Sequence, residues 1–310
     1  MTGTIAVTPP EMSAAETLSC GGAGATTALL EPAGAVLVRG AGISAPAHLA
    51  EFATRLGLVG VGQPEPFAAR RDLGHGVWSQ PAWPSTSPMC MHHELGWQRD
   101  PPAYLLVACL QPAESGGSTG VADGRTVLSS LPDRLVERAQ RAGWSVLRRF
   151  RPGLIGMSWS EAFPDMDEAA VRAYAATEQI ELEWGPDVLL TRRSRPAIRA
   201  TAPDGVPAWS NLLAFCSEWT MEPAVRQYIL ATLGRQGLPF ETTYGDGSPF
   251  PAADVETVNA AYDRATAYVH WRAGDVLLLD NIRTAHSMQP YTGEREMAVL
   301  HAVAAPRAQR

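Results

Sequence analysis

Residues 274–286 read Gly274-Asp275-Val276-Leu277-Leu278-Leu279-Asp280-Asn281-Ile282-Arg283-Thr284-Ala285-His286. Gly274-Asp275 makes a turn, and the short apolar run that follows, closed by Asp280, has the pattern of a strand. Working outward, Ala35 to Gly40, Tyr104 to Leu110, Trp144 to Phe150 and Met297 to Val303 read the same way. Ile180 to Trp184 and Val188 to Thr191 look extended. Helical spacing falls between them, at Ala47 to Leu58, Thr126 to Arg141 (interrupted at Pro132), Asp167 to Gln179, Pro223 to Leu233 and Ala252 to Tyr268. The strands are short, bounded by Gly and Pro, and not regularly alternated with helices. That argues against a doubly wound parallel sheet and for a mainly β sandwich or jelly roll with inserted helices.

With no internal repeat and no clear linker, residues 31–310 read as a single domain. Residues 1–30, rich in Gly, Ala, Thr and Ser, read as a loosely ordered lead-in. The stretch 60–102 carries many Pro, Gly and Trp and little periodicity. A loop of that length inside a compact domain is usually functional, so it is expected to border the active site.

Composition removes several classes of chemistry. The 310 residues are 45% hydrophobic and 18% charged, as in an ordinary globular protein. The net charge of -7 repels phosphate backbones, so no nucleic-acid partner is expected. All 25 basic residues are arginine. Schiff-base chemistry and the Walker A phosphate loop require a lysine amine and are excluded. Cys20, Cys90, Cys109 and Cys216 fit neither a zinc site nor a disulfide framework and read as reduced thiols in a cytoplasmic protein. No basic residue precedes Arg39 and no apolar run approaches the roughly 20 residues needed to cross a bilayer, so neither a signal peptide nor a membrane association is expected.

The chemistry-bearing segment is Met91-His92-His93-Glu94. On a strand, residues two apart point to the same face, so His92 and Glu94 could reach one metal ion. His286, just past the strand Val276–Asp280, is the candidate third ligand. Two His and one carboxylate form the facial triad of non-haem Fe(II) oxygenases, which leaves positions open for a chelating co-substrate and O2. An H-x-E triplet also arises by chance; the second half of the constellation, His286 followed by Tyr291, Gly293 and Arg295, gives it weight. Arginine is permanently charged and forks onto carboxylates, so Arg295 is a candidate anchor for an acidic co-substrate.

From about Ala35 to Ala302 the chain resembles the TauD/TfdA-like family of 2-oxoglutarate-dependent oxygenases, in particular the branch found in bacterial natural-product pathways. The landmarks are Met91-His92-His93-Glu94, Gly116-Gly117-Ser118-Thr119, Trp209-Ser210-Asn211, Gly245-Asp246-Gly247, Gly274-Asp275-Val276 through Asp280-Asn281, and His286 with Arg295. Each is weak alone; together and in this order they are specific. The resemblance implies a double-stranded β-helix, a jelly roll of the clavaminate-synthase-like kind. It implies Fe(II) bound by His92, Glu94 and His286, with 2-oxoglutarate and O2 as co-substrates. It also implies that Thr119 and Arg295 bind the 5-carboxylate of 2-oxoglutarate, which is released as succinate and CO2. Related halogenases carry a small residue where this chain has Glu94. That implies hydroxylation of an unactivated C–H, or a related desaturation or epoxidation, rather than halogenation. The branch implies a small amino-acid-derived substrate, free or tethered to a carrier protein. Two arginine clusters, Arg148, Arg149 and Arg151 and then Arg192, Arg193, Arg195 and Arg199, read as mostly solvated, with one or two available to a substrate carboxylate.

Three other readings compete. Gly116-Gly117-Ser118-Thr119-Gly120 matches the G-x-S-x-G nucleophile elbow, which would make Ser118 a hydrolase nucleophile. The elbow needs a strand before it and a helix after it, and the flanking residues suit neither. A barrel that has lost its chemistry and only binds is a second reading. A zinc enzyme is the third, since two His and a Glu also bind zinc, but the helical H-E-x-x-H is absent.

Overall fold

The computed structural model describes residues 6–19, 25–62, 64–152 and 156–306. The run Val276–Asp280 lies inside a large sheet ordered Glu11–Ser13, Ala35–Arg39, Val276–Asp280, Tyr104–Gln111, Glu296–Ala304, Leu58–Gly60, with Trp78–Ser79 also paired to Glu296–Ala304. Alternation of side chains sends Leu277 and Leu279 to one face and Val276 and Leu278 to the other. On the first face they meet Leu105, Val107 and Val299, and these pack on Val121, Ala267 and Val269 of a second sheet. On the other face they join Leu106, Ala108 and Leu300 beneath Leu49 and Phe52 of the helix Pro46–Arg55. Both faces are covered, which is why the sequence shows an unbroken apolar run there instead of an alternating one.

The second sheet is ordered Thr266–Val269, Thr119–Asp123, Thr284–Met288, Met89–His92. Facing the large sheet, it completes the jelly roll. A third sheet, Glu181–Trp184, Leu189–Arg195, Trp144–Phe150, Phe240–Tyr244, is inserted between the two halves of the chain that build the barrel. No helix among the described residues is long and apolar enough to cross a membrane. Cys90, Cys109 and Cys216 are free thiols, and Cys20 lies outside the described residues.

Several boundaries differ from the sequence reading. The helix expected over Ala252 to Tyr268 ends at Ala265, and Thr266–Val269 is a strand paired with Thr119–Asp123. The β-branched Thr266 and Val269 are poor helix formers and gain a ladder there, so tertiary pairing overrides the local period. The helix expected over Ala47 to Leu58 stops at Arg55, and Leu58 opens a strand. The lead-in is also more structured than its composition suggests. Glu11–Ser13 adds a parallel edge strand to Ala35–Arg39, and the helices Ala14–Ser19 and Ala25–Leu30 follow. Ser13 and Glu16 close a reciprocal cap on the first helix, and Met12 and Leu18 pack on the core. Within 60–102, two short strands, Trp78–Ser79 and Met89–His92, give the loop region fixed points on both sheets.

Two polar contacts hold the loops that border the mouth of the barrel. Asn281 accepts a hydrogen bond from the Glu94 amide at 2.8 Å and donates to the carbonyls of Glu94 and Pro102 at 2.9 and 2.8 Å. One side chain thereby satisfies three buried backbone groups on the opposite loop. Glu65, fully buried, accepts a forked pair of bonds from Arg193 at 2.7 and 2.5 Å, while Arg148 donates to the carbonyls of Glu65 and Pro66 at 3.0 Å each. Arg148 also lies 4.0 Å from the Trp97 ring centroid. Arg148, Arg193 and Arg195 are therefore buried structural cations, not solvated ones. Sheet geometry turns them inward, where the loop carbonyls and Glu65 pair them.

Two outcomes follow from these contacts. Asn281→Ala leaves three buried backbone groups unpaired, and should lower the unfolding free energy by about 2–5 kcal/mol in urea titration. Burial alone would raise the Glu65 carboxyl, but Arg193 and Arg148 outweigh it and hold the group below its ordinary 4.5. A lowered carboxyl stabilises the fold above the unfolded value, and that contribution fades as pH falls through the folded one. Glu65→Gln should therefore be much less stable than the parent at pH 7, and the gap should narrow as the pH drops below 4.5.

Candidate active site

His92 is the last residue of the strand Met89–His92, which pairs antiparallel with Thr284–Met288 so that His92 stands directly opposite His286. Their ring centroids are 4.2 Å apart. Glu94 is not on that strand. The chain turns after His92, Leu95 takes a left-handed φ of 53°, and the backbone of Glu94 is held by Asn281. The expectation that His92 and Glu94 share a face by strand periodicity is thus corrected: a loop fixed from across the barrel brings the carboxylate in. The ligand atoms of His92, Glu94 and His286 all lie within 4.8 Å of one another. His286 Nε2 and Glu94 Oε2 are 3.8 Å apart.

The protonation states suit a cation. His92 Nδ1 lies 2.9 Å from the Cys90 carbonyl oxygen. That oxygen can only accept, so Nδ1 carries the proton and Nε2 keeps its lone pair. Burial pulls the His92 imidazole below its ordinary pKa, only partly opposed by the Glu94 charge. Burial and the neighbouring His92 push His286 down further. Both rings are neutral near pH 7, as metal ligands must be. Burial would raise the Glu94 carboxyl, but Arg70 and His301 hold it well below the usual carboxylate range, so it is charged. Two neutral imidazoles and one carboxylate on one side of a small space are a donor set that fits Fe(II).

His93, between the two, does something else. Its ring lies between the carbonyls of Asn281 and Trp209, another of the sequence landmarks, at 2.7 and 3.1 Å. Burial lowers its pKa to about 4, so the ring is neutral and its single N–H donates to one of the two oxygens. Phe215 stacks on His92 at 4.6 Å, and Phe67 packs on Phe215 at 4.5 Å, which makes one wall of the site aromatic.

Thr119 and Arg295 each neighbour Met288. Thr119 is paired with Met288 in the sheet, and Arg295 Nη1 lies 3.3 Å from Met288 Sδ. The buried Thr119 hydroxyl accepts from Trp271 Nε1 at 3.0 Å. Arg295 sits one residue before the last strand rather than on it, and donates to Gln80 at 2.9 Å. Gly116 and Gly117 shape this end of the barrel, with φ near 70° at both. A Cβ on Gly116 would lie 2.3 Å from the Pro290 carbonyl oxygen. Ser118 passes directly into the strand Thr119–Asp123, with no helix after it, so the nucleophile-elbow geometry is absent.

Two neighbours of the site were not legible in the sequence. Arg70 donates to Glu94 Oε2 at 2.9 Å, from within an aperiodic loop that offers no spacing signal. His301 Nε2 is 3.7 Å from Glu94 Oε1; a histidine inside the apolar run Met297 to Val303 was its only trace.

Comparison with known proteins gives the same family. The family model for the taurine catabolism dioxygenase TauD, TfdA family matches residues 11–301. The dapdiamide synthesis protein DdaC of Enterobacter agglomerans is 31% identical over 272 residues, spanning 87% of this chain and 82% of that protein. A clavaminate synthase-like protein of Arabidopsis thaliana is 24% identical over 280 residues, spanning 87% and 81%. A solved structure from Burkholderia xenovorans, assigned as an alpha-ketoglutarate-dependent taurine dioxygenase, aligns with a TM-score of 0.50 at 15% identity over 96% of this chain and 90% of that one, a likeness of fold. The chain belongs to the TauD/TfdA family: it is a 2-oxoglutarate-dependent non-haem iron dioxygenase of jelly-roll fold, with Fe(II) as its cofactor and 2-oxoglutarate and O2 as co-substrates.

Proposed function

We propose that His92, Glu94 and His286 hold the Fe(II), that Thr119 and Arg295 receive the far carboxylate of 2-oxoglutarate, and that the enzyme hydroxylates an unactivated C–H bond of a small amino-acid-derived substrate, free or carrier-tethered. The observation that carries this reading is the convergence of the three side chains, with ligand atoms all within 4.8 Å, from segments nearly 200 residues apart in the chain. Held by these three residues, Fe(II) would activate O2, the oxidant, which takes two electrons from the decarboxylation of 2-oxoglutarate to succinate and CO2 and two from the substrate C–H bond.

The residues of the chain supply the setting. The Cys90 carbonyl fixes the tautomer of His92, so Nε2 is the donor. Glu94 contributes the one negative charge, and its presence in place of a small residue supports oxygen transfer rather than halogenation. Arg295 offers a cation to a carboxylate, and the Thr119 hydroxyl, on the strand position paired with Met288, offers a further donor. Phe215 and Phe67 exclude water from the His92 side and favour an apolar carbon at that wall. The relative named for dapdiamide synthesis supports a biosynthetic role.

A panel of free and carrier-bound amino-acid derivatives, scored by succinate release and by product mass, tests the substrate. Gain of one oxygen with retained hydrogens is expected; loss of two hydrogens would show desaturation, and gain of oxygen at an alkene would show epoxidation. Turnover of sulfonates or aryloxyacids alone would contradict the reading. Glu94→Ala should abolish turnover. Arg295→Ala should raise the 2-oxoglutarate concentration needed for half-maximal rate roughly 10–100-fold, the cost of a lost charge-assisted bond. An unchanged 2-oxoglutarate dependence would remove Arg295 from the anchor.

A further inference from the structure

The Glu94 carboxylate is nearly sealed from solvent, with its side chain 4% exposed. Among the described residues, the one hydrogen bond its side chain accepts comes from Arg70, whose own side chain is 6% exposed. His301 lies on the other oxygen at 3.7 Å, too far for a hydrogen bond, and neither of its ring nitrogens has another partner. Arg70 is itself held independently of Glu94. Its Nη1 donates to the Ser79 carbonyl at 3.2 Å. The next residue, Arg71, exchanges two bonds with Ser79: its amide donates to the Ser79 hydroxyl and its carbonyl accepts from the Ser79 amide, both at 2.9 Å. Ser79 in turn pairs with Ala298 of the large sheet. The guanidinium is therefore anchored to the barrel, and the carboxylate on its loop meets a fixed cation.

We propose that Arg70 is a positioning residue for Glu94, setting the direction in which the carboxylate presents Oε2 to the space beside His286. The inference rests on the ligand set proposed above. An ionised carboxylate oxygen offers two lone-pair directions. Arg70 takes one at Oε2, which leaves the other for a cation, and His286 Nε2 lies 3.8 Å from the same oxygen. Without the guanidinium, no other side chain or amide among the described residues hydrogen-bonds to the Glu94 carboxylate to choose among its rotamers. Partners that orient a ligating group typically account for 10–100-fold in metal affinity.

The test uses the full-length chain, with Co(II) as an O2-stable probe read by titration and by its visible absorption envelope, which reports coordination geometry. Arg70→Met should bind Co(II) roughly 10–100-fold more weakly than the parent and shift the envelope. Arg70→Lys, which restores the charge and one donor, should recover most of both. Arg71→Met, on the exposed neighbour, should match the parent. Should Arg70→Met fail to fold, Arg70→Gln replaces it, with the same weakening and shift expected. Parent-like or tighter Co(II) binding with an unchanged envelope in the Met or Gln variant overturns the role of Arg70. If the parent chain itself takes up no Co(II), the ligand set is what fails.

Discussion

The site depends on the register between two short strands. His92 faces His286 because Met89–His92 and Thr284–Met288 pair antiparallel, with a register shift between the His286–His92 and Met288–Met89 pairs. A slip of one residue would turn one of the rings to the far side of the sheet. Little in the four-residue strand itself could hold that register. It is held from outside, by Asn281 on the backbone of Glu94 and by His93 between the carbonyls of Asn281 and Trp209. Asn281 is also the residue just after the apolar run Val276–Asp280, so a strand covered on both faces sets the position of the loop that carries the carboxylate.

The same division of labour explains what could be read from the sequence. Strands buried on both faces, such as Val276–Asp280 and Tyr104–Gln111, show as apolar runs because every side chain needs cover. The three proposed iron ligands were legible because their chemistry is unusual: a carboxylate two residues from a histidine, with another histidine past a buried strand. The route by which Glu94 arrives was not legible, since a turn held by a side chain 187 residues away leaves no periodic trace. Thr266–Val269 was hidden for a related reason, its strand pairing being long-range while its flanking helix is local.

Charged residues were the hardest to place. Arg148 and Arg193 sit on the strands Trp144–Phe150 and Leu189–Arg195 among other arginines, and composition says solvated surface. In the fold they are sealed around Glu65, and they fix the loop that leads to Phe67 and Arg70. Whether an arginine is buried depends on which carbonyls and carboxylates the tertiary structure offers it, and sequence neighbours do not carry that information. One chain of contacts thus runs from the inserted sheet, through Glu65, to the aromatic wall on His92 and the cation on Glu94.

The central claim is that His92, Glu94 and His286 meet on one iron ion. Crystals grown without oxygen in the presence of Fe(II) and 2-oxoglutarate, with diffraction data collected on both sides of the iron absorption edge, address it directly. The account predicts one strong anomalous peak within bonding distance of all three side chains, with 2-oxoglutarate density running from it toward Arg295. A peak elsewhere in the barrel, or iron bound with the His286 ring outside its coordination sphere, would contradict it.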